Sequence, residues 1–311
     1  MKASLAAGFL LWLAPPFTGQ TASAPQPPVF AARVDSVLID AFVTGAGGPA
    51  RRLSARDFVL KDNGVPQPVD LVPLEGLPIR AIMVFDTSSS MKGAKLLSLR
   101  AAADSFLGKL QTDDEAALVS FSDEVAWLTP LTRDRAQVRL ALFSLRDRGA
   151  TAAYDALFTA LTVPKSGLRT LIILFSDGED TVSWLSDRDV RGAVERANAL
   201  IHVVVAPSEE FVSGFRPKFQ APDTVQVKTL RNFAELTGGS LIRVNSPDRF
   251  EAAFTEIIEG MKNRYVLRYA PEGEPAPGWH TLELGLATKK GKVRGRKGYW
   301  VAPPTPEPPE K

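Results

Sequence analysis

The 311-residue sequence contains no cysteine, only two histidines, and 37 Lys and Arg against 35 Asp and Glu. The missing cysteine excludes a disulfide framework, a thiolate metal centre, a thiol nucleophile and a lipid-bearing cysteine at the end of a leader. A chain of this length can stabilise itself through its core without such cross-links. Neither His202 nor His280 lies in a catalytic motif, and no G-x-S-x-G elbow or Walker loop is present. The formal net charge of +2 gives no global attraction to nucleic acid.

Long apolar runs are equally scarce. One stands at the start, Ala3 to Ala14, preceded by Lys2 and followed by prolines and the small residues Ala22, Ser23 and Ala24. It is too short to span a bilayer and has the layout of a secretory signal over residues 1–24. This predicts export to a periplasm or the cell exterior, with no transmembrane segment in the mature chain.

What is present falls into three stretches. Residues 25–75 open on a Pro-rich lead-in and continue as short alternating runs, about three strands, with Asn63-Gly64 as a hairpin turn. From residue 76 to 262 strands and helices alternate. "AIMVF" reads as a buried strand, and a helix follows with Leu96, Leu99, Ala103, Phe106 and Leu110 on one face. The strands "AALVSF", "TLIILF" and "LIHVVVA" come later, with Ser186 and Asp189 as a capping box and Ser246-Pro247 opening the last helix. This pattern predicts a doubly wound, mostly parallel sheet with helices on both faces.

Residues 263–303 return to β, and the Pro-rich tail 304–311 reads as disordered. The two β flanks together hold enough strands for one immunoglobulin-like sandwich into which the α/β unit is inserted. The alternative is two separate sheets packed on the α/β body. The basic run Lys289 to Lys297 suggests an envelope-surface contact, or simply a solvated turn. The long segment Ala206 to Val225 would flank the site or form a surface loop.

Three segments place oxygen-bearing side chains where ligands bind in open α/β sheets, at the carboxyl ends of strands. "DTSSS" follows the first strand, "GATAAYDAL" carries Thr151 at a helix start, and "LIILFSDGED" ends a strand on Asp177. Together they supply Asp86, Ser88, Ser90, Thr151 and Asp177. Two carboxylates and three hydroxyls suit a hard divalent cation, Mg²⁺ first, with Mn²⁺ or Ca²⁺ as alternatives. Each element also has a plainer use: Ser88 to Ser90 and Thr151 as helix caps, and Asp177 as part of a turn with Gly178.

These segments, with "LRNFAELTGG", resemble the von Willebrand factor A (VWFA) domain and its metal-ion-dependent adhesion site (MIDAS), of form DxSxS, then T, then D. The flanks resemble an exported bacterial group known as VWFA-related proteins. The resemblance implies a Rossmann-like domain whose ion is held by Ser88, Ser90 and Thr151, with Asp86 and Asp177 direct or through water. It further implies a partner protein that completes the shell with an Asp or Glu. One departure is Ala150, where many members have a second glycine before the threonine.

The resulting expectation is a non-enzymatic, metal-dependent protein-binding module for adhesion or assembly. One alternative is a structural envelope-assembly module in which the ion only stabilises. Another is a Mg-dependent phosphohydrolase of the haloacid-dehalogenase type. That last chemistry needs an acid two residues after its nucleophile to protonate the leaving group, and Ser88 occupies that position.

Overall fold

The computed structural model describes residues 36–45, 47–74, 77–163, 169–206, 223–271, 275–287 and 291–303. The leader expected over 1–24, most of the Ala206–Val225 segment and the Pro-rich tail lie outside the described residues.

Five short strands come first: β1 (Val37–Gly45), β2 (Gly48–Pro49), β3 (Phe58–Asp62), β4 (Val65–Gln67) and β5 (Asp70–Val72). The expected hairpin joins β3 to β4, where Asn63 and Gly64 both take positive φ, 46° and 83°. Backbone twist in a two-residue turn requires that conformation, which Asn and Gly tolerate.

The α/β unit runs through β6 (Ile79–Asp86), α1 (Ala94–Lys109), β7 (Glu115–Phe121), β8 (Val125–Thr132), α2 (Arg135–Ser144) and α3 (Ala153–Leu161). It continues as β9 (Arg169–Ser176), α4 (Asp187–Arg196), β10 (Ala199–Val205), α5 (Val225–Thr237), β11 (Leu241–Arg243) and α6 (Phe250–Lys262). Its sheet has the order β11-β10-β9-β6-β7-β8. All neighbours are parallel except β8, which is antiparallel to β7. The chain starts at β6, adds strands on one side, then crosses to β9 on the other. The strand order therefore reverses around β6, and the crevice lies at the carboxyl ends of β6 and β9.

Central strands β6 and β9 are buried along most of their length, which is why they read as unbroken apolar runs. One face packs under α1, α2 and α6, the other under α3, α4 and α5. The expected inner stripe of α1 is in place: Leu96, Leu99, Ala103, Phe106 and Leu110 are all buried. The Ser186–Asp189 capping box opens α4 as expected, whereas α6 is preceded by a 3₁₀ turn, Pro247–Arg249, with no side-chain cap from Ser246. Strand β8 was not expected. Its Trp127 and Leu128 are exposed and it contains Pro130, a residue an edge strand tolerates because one side of it makes no ladder bonds.

The chain ends on β12 (Tyr265–Tyr269), β13 (Gly278–Leu286), β14 (Lys292–Arg294) and β15 (Gly298–Val301). The flanks contain five and four strands rather than about three each, because the turns carry two- and three-residue bridges that periodicity does not register. They do not form separate sheets. One sheet has the order β14-β1-β12-β5 with β2 beside β1, and the other β15-β13-β3-β4. Each mixes strands from both ends of the chain, and Ile39, Leu60, Leu267, Tyr269 and Leu282 belong to one shared core.

The α/β and β units meet in a polar joint. Arg169 reaches Asp40 through Nε and Nη2 (3.0 and 2.6 Å) and donates to the Met261 carbonyl. Arg296 donates to Asn198 Oδ1 and to the Ala197 carbonyl, and the Arg196 guanidinium lies 4.4 Å from the centre of the Trp300 ring. A Cβ on Gly238 would stand 2.6 Å from the Gly295 carbonyl carbon, so the backbones approach as only glycine permits. Arg294 and Arg296 thus turn inward, which corrects the reading of the whole Lys289–Lys297 run as a surface contact. Their aliphatic and planar groups pack better against the joint than in solvent. Among the described residues no helix is long and apolar enough to cross a membrane.

Candidate metal site

Asp86 ends β6 and is fully buried. Its Oδ1 accepts the backbone N–H of Ser88 (2.8 Å) and its Oδ2 the hydroxyl of Ser176 (2.8 Å). Burial pushes the Asp86 carboxyl up to about 6, and the nearby charge of Asp177 pushes the same way. Hydrogen bonds from Ser88 and Ser176 oppose them.

The next loop is folded by its backbone. Thr87 N–H donates to the Phe121 carbonyl, Ser89 N–H to Gly149, and Arg148 N–H to Thr87. The hydroxyls of Ser88 and Ser90 are thereby brought within 3.0 Å of each other, and Ser90 Oγ donates to Asp177 Oδ2 at 2.5 Å. Lys95 Nζ donates to the Ser90 carbonyl (2.9 Å). Asp86, Ser88, Ser90 and Asp177 therefore form one hydrogen-bonded chain across the ends of β6 and β9.

Thr151 reaches this rim through its backbone. Its N–H donates to Thr181 Oγ1 (3.0 Å), and its carbonyl accepts the N–H groups of Thr181 and Val182. The Thr151 hydroxyl makes no hydrogen bond to the other four. Gly149 is needed at this turn. Its φ is +74°, and a Cβ there would stand 2.0 Å from Asp123 Oδ1. Ala150 fits, so the departure from a double glycine leaves the loop intact.

The capping alternatives fail on geometry. Helix α1 starts at Gly93 with no side-chain cap, and the 3₁₀ turn after Ser88 has none either. Helix α3 starts at Ala153 with Ala152, not Thr151, as its N-cap, and its first N–H groups go to Asp180 Oδ1 and Ser183 Oγ. The hydroxyls of Ser88, Ser90 and Thr151 are thus not used for helix ends. Asp180 caps α3, whose N-terminal dipole favours a carboxylate. Asp155 accepts the N–H groups of Trp184 and Leu185 (2.9 and 3.0 Å) and so shapes the rim.

Sequence reasoning missed Ser176, which is fully buried and holds both Asp86 Oδ2 and the Gly178 N–H. Its only sequence signal is a serine closing an otherwise apolar strand one residue before Asp177. Trp184, 96% exposed on the same rim, was also passed over. His202 is buried in β10, as expected for a packed histidine, and bonds Ser240 Oγ. His280, for which the sequence offered no partner, bonds Asp62 Oδ1 and the Ala276 carbonyl within the β unit.

The donor set fits a hard divalent cation. Two carboxylates of like charge converge with hydroxyls at a strand-order reversal, and among the described residues no set of three acidic or imidazole groups offers a softer or more charged site.

Residues 81–179 match the family model for the von Willebrand factor type A domain. A 138-residue stretch is 29% identical to inter-alpha-trypsin inhibitor heavy chain H4 of Bos taurus, covering 40% of this chain and 15% of that protein. A UPF0353 protein of Mycolicibacterium gilvum is 21% identical over 224 residues, 66% of this chain and 65% of the relative. The chain therefore spans only part of the curated relatives it matches. Proximal thread matrix protein 1 of the mussel byssus, solved with a zinc-occupied MIDAS motif, aligns at 14% identity with a TM-score of 0.48 over 61% of this chain and 46% of that one. Over residues 81–179, which hold the DTSSS, Thr151 and Asp177 segments, the chain is thus similar to the von Willebrand factor type A domain family.

Proposed function

We propose that the protein is an exported, metal-dependent protein-binding module for adhesion or assembly. Asp86, Ser88, Ser90, Thr151 and Asp177 hold a divalent cation, Mg²⁺ first among Mg²⁺, Mn²⁺ and Ca²⁺. The observation that carries this reading is the run of oxygens from Ser88 to Ser90 (3.0 Å) and from Ser90 to Asp177 (2.5 Å), with no helix end to cap. Bound there, the cation supplies a Lewis-acid position for a carboxylate oxygen from a partner's Asp or Glu. The chain's own residues do the rest. Ser176 and the Ser88 N–H orient Asp86, the Thr181 contacts fix Thr151, and Asp155 sets the rim loop beside them.

The layout in this reading is a leader over 1–24, β segments 25–75 and 263–303 forming an immunoglobulin-like sandwich, and the metal-binding domain over 76–262. The reading is non-catalytic. The position two residues after Asp86, where a phosphohydrolase of this geometry would need its acid, is Ser88, which cannot protonate a leaving group at neutral pH.

Calorimetric titration of Mg²⁺, Mn²⁺, Ca²⁺ and Zn²⁺ into chelator-treated protein tests the site, with Asp86→Ala and Thr151→Ala run beside it and their melting curves recorded. Saturable binding by the wild type, lost in both folded variants, is the expected result. A folded wild type that binds none of the four ions sinks the proposal. The structural alternative separates on chelation: a recognition site loses partner capture while the fold persists, whereas a purely stabilising ion takes the melting temperature down with it.

A further inference from the structure

A second polar site lies on the far side of the joint. A cavity of about 40 Å³ separates β10 and α6 from the β unit, lined by Phe42, His202, Ser240, Glu256, Arg264 and Arg294. Arg264 is 3% exposed. Its Nη2 donates to the Gly238 carbonyl (2.6 Å), but its Nη1 is buried with no acceptor. Arg294 Nε is likewise buried with no acceptor. Both arginines line this one small cavity, and each carries a buried donor without an acceptor, against the general rule that buried polar groups are bonded.

Carboxylates act on both arginines from a distance, Asp40 on Arg264 and Glu256 and Glu235 on Arg294, without pairing to them. Burial lowers the Arg264 pKa, but only to about 10, so the group stays cationic at neutral pH. Both guanidiniums sit by the Phe42 ring, 5.7 and 5.4 Å from its centre, which offsets some charge and accepts no ordinary hydrogen bond. Asp40, the nearest internal carboxylate, is taken by Arg169. Glu256 lines the cavity from exposed α6 and draws on Arg294, yet forms an ion pair with neither arginine. On the opposite wall His202 shares a hydrogen bond with Ser240 Oγ (3.0 Å), and burial with the two arginines holds its pKa well below the usual value. The imidazole is therefore neutral and polar.

The cavity of about 40 Å³ has room for about three waters or one small anion. Water would satisfy the orphaned N–H groups but leave the charge. An anion answers both. We infer that the cavity binds a single small monovalent anion of halide size, held by Arg264 Nη1 and Arg294 Nε, which locks the β unit onto the α/β unit. Because Arg264 belongs to the segment entering β12 and Arg294 to β14, while His202 and Ser240 belong to the α/β unit, the anion is shared by both.

The test is the melting temperature of the full chain in EDTA at constant ionic strength, with sodium gluconate progressively replaced by chloride or bromide and, separately, by sulfate. A saturable rise of about 2–4 °C with chloride and bromide but not sulfate is expected. That rise should vanish in Arg294→Gln, whose side chain is partly exposed and whose loss the fold should tolerate. It should vanish too in Arg264→Met where that variant folds. Crystals grown in bromide should show an anomalous peak in the cavity. A rise that follows ionic strength regardless of the anion overturns the inference, as does an unchanged chloride response in Arg294→Gln. Absence of any response means that water alone fills the space, and equally overturns it.

Discussion

Removing one hydroxyl, in Ser176→Ala, tests whether the buried carboxylate of the proposed metal site is held in place by the fold. Ser176 Oγ donates to Asp86 Oδ2 at 2.8 Å and accepts the Gly178 N–H at 3.1 Å, and residues 86 and 176 are both fully buried. The alanine leaves a carboxylate oxygen and a backbone N–H short of one partner each, while Ser88 N–H still serves Asp86 Oδ1. Loss of a buried hydrogen bond to a charged acceptor costs about 2–3 kcal/mol. For a 311-residue chain, at about 2.1 cal/mol/K of unfolding entropy per residue, that lowers Tm by about 3–5 °C. Differential scanning calorimetry in EDTA reads this directly, with Ser144→Ala as control. Ser144 is exposed and bonds only the Ala141 carbonyl, so its loss should stay within about 0.5 kcal/mol. Titration of Mg²⁺ should then show weaker binding in Ser176→Ala, because the Asp86 carboxylate is no longer oriented. A variant that melts and binds Mg²⁺ like wild type would refute the assignment of Ser176 as the positioning residue.

Gly149→Ala should be poorly tolerated, since its φ of +74° and the Asp123 carboxylate both exclude a side chain; weaker metal binding, with a drop in stability of about 1–2 kcal/mol, is expected by titration and melting. Trp184→Ala should leave Tm within the error that surface changes give, about 0.5 kcal/mol, yet reduce capture of a partner that docks over the rim; equal capture would place the interface elsewhere. Stability should fall as pH drops below the unfolded histidine pKa of about 6.5, because the unfolded chain takes a proton that buried His202 refuses beside Arg264 and Arg294, with Glu256 across the cavity. At fixed chloride, denaturant midpoints between pH 7 and 5 should change less in His202→Gln than in wild type; parallel profiles would assign the acid sensitivity to other groups.

Much of the site was legible because its parts are local. Asp86 ends an apolar run and Asp177 stands one serine beyond another, and strands buried on both faces give way to carboxylates only where the sheet opens to solvent or a ligand. The alternating Ser88 and Ser90 announced a loop with two hydroxyls turned the same way. Ser176 was not legible. Its role depends on β9 lying parallel to β6 with Phe85 opposite Phe175, which brings the next residue of each strand side by side. The use of Asp180 was not legible either: whether a carboxylate in a turn faces solvent or a helix start depends on where α3 begins, and the structure starts it at Ala153. Strand β8 escaped because Pro130 and exposed Trp127 break the pattern of an inner strand, a break that only its place at the sheet edge permits.

The amino-acid sequence by itself determined the alternation of strand and helix over the central stretch, the inner face of α1, the Asn63-Gly64 turn and the identity of the five oxygen-bearing residues. These follow from backbone periods of 2 and 3.6 and from turn chemistry, which act over a few residues. Only the tertiary structure decided that β1 pairs with β12 and β3 with β13 across more than two hundred residues, and that Arg264 and Arg294 turn inward to one cavity. Closing such distances costs chain entropy that no local pattern encodes, and it is repaid where two surfaces, the apolar core of the β unit and its charged joint, become complementary on assembly.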